Sequence, residues 1–268
     1  MAVASLPMYD LPEVRGALDE LWTAIAGNLR QAGVDGVPEE LVHDRPLAKL
    51  WSDPELLLSQ ACGFDLVKSY TRKLRPVATP RYSAPGCNAC RYTSAVIVSE
   101  NSTATALEDL RGAVCAVNGP ESHSGMNAFR ALVAPLVHNG RFFSRVIETG
   151  AHSDSVALVA SGDAGVAAID CVSYALLVRY RPAAVAGTRV LCHTEPAPAI
   201  PYVTQADADE ELVARLQTAL AAAFADPGLA AARESLFLAG IEVLPHAAYY
   251  DLVDFEKRAV AYGYPKLR

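Results

Sequence analysis

Four side chains stand out by type and position: Ser122, Ser124, His152 and Asp170. The short apolar run Ala113 to Val117 stops at Asn118-Gly119-Pro120. Ser122-His123-Ser124-Gly125 follows, and a helix-like run continues from Met126 to Val137. That order reads as strand, hydroxyl-rich loop, helix. The first turn of a helix has N–H groups without acceptors and the positive end of a dipole. With two hydroxyls beside it, such a turn is suited to hold an oxyanion. The plainer reading is a helix with a serine cap.

The neighbouring segments favour the site. Phe143 to Glu148 reads as a second strand, ending at Thr149-Gly150-Ala151-His152 before the helical run Ser155 to Ala160. Gly165 to Ile169 reads as a third strand, ending at Asp170 before the helical run Val172 to Val178. Three successive strand ends thus deliver Ser122 to Ser124, His152 and Asp170. Ligands of open α/β sheets bind beyond the carboxyl ends of strands. Singly, His152 and Asp170 could each do no more than cap the next helix.

The elements around them predict an α/β protein. A short strand spans Ala2 to Leu6, and a long amphipathic helix opens at Asp10-Leu-Pro-Glu13 and runs to about Gln31. Its apolar positions Val14, Leu18, Leu21, Trp22, Ile25 and Leu29 follow helical spacing, so Trp22 is assigned to the core. Asp53 to Cys62 reads as a second helix ended by Gly63. Arg75 to Thr79 and Thr93 to Ser99 read as strands. From 105 to 180, helices and strands alternate, which predicts a parallel sheet covered on both faces. Arg189 to His193 and Tyr202 to Thr204 read as further strands. Asp207 to Ala225, Gly228 to Ala239 and Tyr249 to Tyr262 read as helices. Extended links near 98–100 and 196–199 suggest two lobes: 1–97 with 200–268, and 101–195. A ligand cleft would lie between them, with the C-terminal helices on the first lobe.

Composition excludes several classes. The chain has 268 residues, 51% hydrophobic and 20% charged, with a net charge of −7. That is enough for a substantial core. No basic run marks a nucleic-acid surface. No apolar run reaches the roughly 18–20 residues of a membrane span. The first residues have no basic start and no long apolar core, so a cytoplasmic location is expected for the sequence as written. It would be periplasmic if a leader has been trimmed away. Six cysteines lie at 62, 87, 90, 115, 171 and 192. Cys87 and Cys90 form one C-x-x-C, without the second ligand pair that a zinc site needs. Free thiols rank first for this pair, a disulfide second and a metal site last. No metal or cofactor is expected.

The chain resembles the phosphate/phosphite/phosphonate-binding (PhnD-like) family of type 2 periplasmic solute-binding proteins over most of its length. The matching stretches are Leu6 to Glu13, Asp53 to Gly63, Asp109-Leu-Arg-Gly112, Ser122-His-Ser-Gly125 and Gly162 to Asp170. The resemblance implies a two-lobed type 2 periplasmic-binding-protein-like fold. It also implies phosphonate oxygens held by Ser122, the His123 backbone and Ser124. The family's loop histidine falls on His152, its strand-end aspartate on Asp170, and its aromatics on Tyr9 and Tyr92. Between the serines, where a small residue is usual, His123 adds a titratable donor. The implied ligand is phosphate, phosphite or a phosphonate, and the implied partner is an ABC permease.

Physically, Asp170 near such an anion must accept a ligand proton or meet a cationic group, since a bare dianion would be repelled. The leading expectation is therefore a binding protein that works by hinge closure. One alternative is a cytosolic enzyme on the same fold, with Ser122, His152 and Asp170 as a triad. It lacks a Gly-x-Ser-x-Gly elbow and a dinucleotide fingerprint. A second is an intracellular anion sensor.

Overall fold

The computed structural model describes residues 2–268, which fold into two compact units. The first comprises the chain up to Ser83, Asn88–Cys90 and Pro198–Tyr249. The second comprises Ala84–Cys87, Arg91–Ala197 and Tyr250–Arg268.

The first unit is built on a five-stranded sheet. In spatial order its strands are Val3–Ala4, Leu56–Gln60, Tyr202–Gln205, Leu74–Tyr82 and Leu238–Glu242. The first pair is parallel and the others are antiparallel. The helix Arg15–Gln31 buries Leu18, Leu21, Trp22, Ile25 and Leu29, as its spacing predicts. Helix Glu210–Ala225 starts at an Asp209 cap, whose carboxylate accepts from the Leu212 N–H at 2.7 Å.

Two expected helices are corrected here. Asp53 to Cys62 holds the strand Leu56–Gln60, with all five residues buried. A strand covered on both faces shows a continuous apolar run, Leu56-Leu57-Leu58, which periodicity cannot tell from helix. The stretch from Gly228 to Ala239 splits into the short helix Ala230–Ser235 and the edge strand Leu238–Glu242. Phe237 between them adopts a left-handed backbone (φ 56°), which ends the helix.

The second unit carries the candidate site on another five-stranded sheet. Its order is Arg145–Glu148, Val114–Val117, Val166–Asp170, Ser94–Ser99 and Thr188–His193. The first three strands are mutually parallel, as the alternating pattern predicts. Ser94–Ser99 enters antiparallel to both of its neighbours, so the sheet is mixed. Val96, Cys115, Val117, Phe129, Val133, Phe143, Val166 and Ala168 meet in its core.

The C-terminal segment differs from the expectation that placed 200–268 as one body. Residues from Tyr250 onward belong to the second unit. The helix Asp251–Ala261 buries Leu252, Phe255 and Ala259, and Ala259 and Tyr264 join the same core as Phe129 and Phe142. The last residue caps this packing, since the N–H groups of Phe142 and Phe143 donate to the Arg268 carbonyl at 2.8 and 3.2 Å.

Candidate functional site

Strand Val114–Val117 ends at Asn118, and the helix after it begins with a widened turn. Residues His123–Asn127 form a π-helical turn that leads into the α-helix Ala128–Val133. The Asn127 N–H donates to the Ser122 carbonyl at 3.0 Å. Ser122 is the N-cap, and its Oγ accepts from the Gly125 N–H at 3.0 Å. The plain cap reading is therefore realised. A hydroxyl that accepts one bond still carries a proton to donate. Single π turns recur at functional sites, because the wider turn re-aims main-chain groups.

Ser124 is the meeting point of three strand ends. Its Oγ lies 3.0 Å from His152 Nε2. Its carbonyl accepts from Ser94 Oγ at 2.8 Å, and Ser94 pairs in register with Asp170 on the adjacent strand. The structure thus brings Ser122, Ser124, His152 and Asp170 to one end of the second unit's sheet, beyond the carboxyl ends of its parallel strands. His152 opens the helix His152–Ser161 but does not cap it, so its imidazole serves Ser124 instead. Its Nδ1 is buried without a hydrogen-bond partner. Asp170 does cap: its Oδ1 accepts from the Val172 and Ser173 N–H groups at 2.8 and 3.0 Å.

The aromatic and His123 assignments fare differently. The His123 ring does not act as a titratable donor at the helix start. It is 2% exposed, edge-on to Phe255 at 5.0 Å and tilted against Tyr92 at 6.2 Å. Asn127 Nδ2 donates to its Nδ1 at 3.2 Å. Only its main chain stands at the turn. Tyr92 is buried beside it, and Tyr9 belongs to the first unit, edge-on to Tyr82 at 5.3 Å.

Sequence reasoning missed Asn118. Its Oδ1 is buried without a partner. A Cβ on Gly125 would fall 1.8 Å from that oxygen and 3.2 Å from His152 Cε1. Gly125 is therefore required for Asn118 to approach the helix start. The signal in the sequence was the Asn-Gly-Pro at the strand end, read there only as a stop.

Burial pushes the His123 imidazole down to about 3 and that of His152 down to about 4. Both rings are neutral at neutral pH, so neither brings a positive charge to the helix start. His123 also links stability to pH. Its folded value lies below the unfolded value of about 6.5, so only the unfolded chain takes up a proton as pH falls past that point. The stabilisation is complete above pH 6.5 and is lost as pH falls towards about 3. We expect the melting temperature to fall between pH 7 and 4, and to fall less steeply in a His123→Gln variant. Parallel melting curves for the two proteins would count against this. His152 contributes in the same sense, but as a partly exposed residue it is better screened.

The two α/β units have the fold of the type 2 periplasmic-binding-protein-like proteins. The model of the phosphonate-type periplasmic substrate-binding proteins of ABC transporters matches residues 58–249, and the chain belongs to that family. The proteins of this family are substrate-binding proteins and not enzymes. No curated protein matches the chain. Among solved structures, the binding-protein component of an ABC phosphonate transporter from Pseudomonas aeruginosa is similar at 14% identity and TM-score 0.76, over 98% of this chain and 87% of that one. PhnD1 from Prochlorococcus marinus, in complex with methylphosphonate, is similar at 13% identity and TM-score 0.70, over 96% and 97%. A Xanthomonas citri protein bound to chloride ion is similar at 16% identity and TM-score 0.72, over 98% of both chains. At these identities the likeness establishes the fold. Among the described residues, no helix is long and apolar enough to cross a membrane, and no group of three or more His, Cys, Asp or Glu could hold a metal ion.

Proposed function

We propose that this chain is the substrate-binding component of an ABC transport system for a small tetrahedral oxyanion, phosphate or a phosphonate first. The ligand oxygens sit at the Ser122–Ser124 helix start. The hydroxyls of Ser122 and Ser124 and the main-chain N–H groups of the turn supply the donors. The carrying observation is the Ser124 hydroxyl, fixed by His152 Nε2 on one side of the residue and by Ser94 through its carbonyl on the other. That arrangement aims a small donor without ordering it at the moment of binding. It is the economy that preorganisation provides.

Asp170 sets the protonation state of the ligand. One oxygen of its carboxylate is committed to the next helix start. An anion placed beside it is best held with a proton shared between the two, because like charges at close range disfavour each other. The family's periplasmic setting supports a working protein that acts outside the cytoplasm and delivers to a permease.

Calorimetry with phosphate, phosphite, methylphosphonate and sulfate tests the reading. We expect heat from phosphate or methylphosphonate, and much weaker binding of sulfate, which carries no proton to share near neutral pH. Tight sulfate binding would contradict the role given to Asp170. No heat from any of the four would remove the oxyanion reading.

A further inference from the structure

The C-x-x-C is not a pair in the folded chain. Cys87 belongs to the second unit, whereas Cys90 belongs to the first and donates its thiol to the Thr79 carbonyl at 3.6 Å. Cys87 instead faces Cys171, with their Sγ atoms 3.4 Å apart. Cys171 is the first residue of the helix Cys171–Tyr180, directly after Asp170.

One residue holds both partners in place. Thr93 Oγ1 donates to the Gly86 carbonyl at 3.0 Å, fixing the turn that carries Cys87, and His193 Nδ1 lies 3.0 Å from the same hydroxyl. The Thr93 carbonyl accepts from the Cys171 N–H at 3.1 Å. Gly86 makes this approach possible. Its φ is +93°, and a Cβ there would lie 2.6 Å from Thr93 Oγ1 and 3.1 Å from Cys171 Cβ. The turn is thus seated directly on the start of the helix.

We propose that Cys87 and Cys171 form a disulfide when the protein meets an oxidising environment. Its sulfurs need to close only from thiol contact to the bonded distance of about 2.05 Å. The oxidant is a disulfide, either a small one such as oxidised glutathione or that of a protein oxidoreductase. Cys87 is the more exposed of the two, since Cys171 is 2% exposed. The Cys87 thiolate attacks one sulfur of the oxidant and releases one thiolate. The Cys171 thiolate then attacks Cys87 Sγ and releases the second. The two protons lost by the cysteines end on the two leaving thiols, so two thiols are oxidised and one disulfide is reduced. The contact with Cys171 and burial both push the Cys87 thiol up, so the first step is slow without a catalyst or raised pH. The bond ties the turn at Ala84–Cys87 to the helix that Asp170 caps. It does so across a sequence separation of 84 residues. It is independent of which anion binds.

The test uses the full chain in oxidised glutathione at mildly alkaline pH. We expect the loss of two hydrogens by intact mass and two fewer alkylatable thiols. Non-reducing tryptic maps should join the peptide 82–91 to the peptide 146–179. Cys90→Ser should keep the link and Cys87→Ser should abolish it, since both cysteines share one peptide. Reducing the oxidised wild type should lower its melting temperature by about 5–15 °C, the range for a disulfide closing a long loop in a chain of this size. This last measurement needs no variant to fold. A link within the peptide 82–91, or six alkylatable thiols after oxidation, would overturn the proposal.

Discussion

The Ser122→Ala/Ser124→Ala double variant is expected to bind phosphate or methylphosphonate at least about a hundredfold more weakly than the wild type. Each hydroxyl donates to a charged acceptor, a bond worth roughly 1.5–3 kcal/mol. The two are not equivalent. Ser122 Oγ also accepts from the Gly125 N–H, so its loss removes a helix cap, at about 1 kcal/mol of stability. Ser124 Oγ is the partner of His152 Nε2, so its loss frees the ring that aims it. The fold should survive, because the Ser94 bond to residue 124 is to a main-chain carbonyl that alanine keeps. Calorimetry on both proteins, with circular dichroism to confirm folding, decides the matter. A folded double variant with unchanged affinity would place the ligand elsewhere.

That experiment depends on a site whose parts were readable to different degrees. The polar residues at three successive strand ends could be read because β-to-α transitions punctuate sequence clearly. An apolar run stops, a small or polar residue follows, and a helical period begins. Which way each side chain turns was not readable. His123 lies between two serines at the helix start, yet its ring faces Tyr92 and Phe255, in the core. The π turn rotates residues relative to an α-helical count, and no pattern in five residues announces it. Asn118 was hidden for the related reason that its position depends on the missing side chain of Gly125.

The fold shows the same division. The helix Arg15–Gln31 could be read from its period, because one face is buried and one is wet. Strand Leu56–Gln60 could not, because both faces are buried and the period disappears. Antiparallel entry of Ser94–Ser99 depends on where the chain arrives from. That is a property of topology and not of the strand's own residues. The unit that takes the C-terminal helix was the least readable. An amphipathic helix declares that it needs a partner, not which one.

Arg130 identifies that partner. It is 4% exposed on the helix Ala128–Val133, one turn beyond the candidate site. Its guanidinium donates to Asn127 Oδ1 at 2.9 Å and to the Pro265 carbonyl, and lies 3.5 Å from the Glu256 carboxylate. Asn127, itself fully buried, donates to the Leu252 carbonyl at 2.9 Å. One buried network therefore joins the helix that begins at Ser122 to the segment from Tyr250 to Arg268. Arg130→Ala removes the cation and leaves the Asn127 oxygen and the Pro265 carbonyl without this donor. Breaking a buried pair from one side costs about 3–5 kcal/mol. Glu256 is partly exposed and can recover some solvation, so the lower end applies. We expect the melting temperature to fall by roughly 5–12 °C. Arg130→Met should lose less, because it keeps the packing of the stem and fills the space the head vacates. Hydrogen exchange locates the damage. Amides of the helix Asp251–Ala261 should lose protection before those of the strands, because that helix is held from one side by this network. An Arg130→Ala protein with wild-type melting and unchanged protection at Leu252 and Phe255 would show that apolar packing alone holds the C-terminal segment, and that the network is incidental to it.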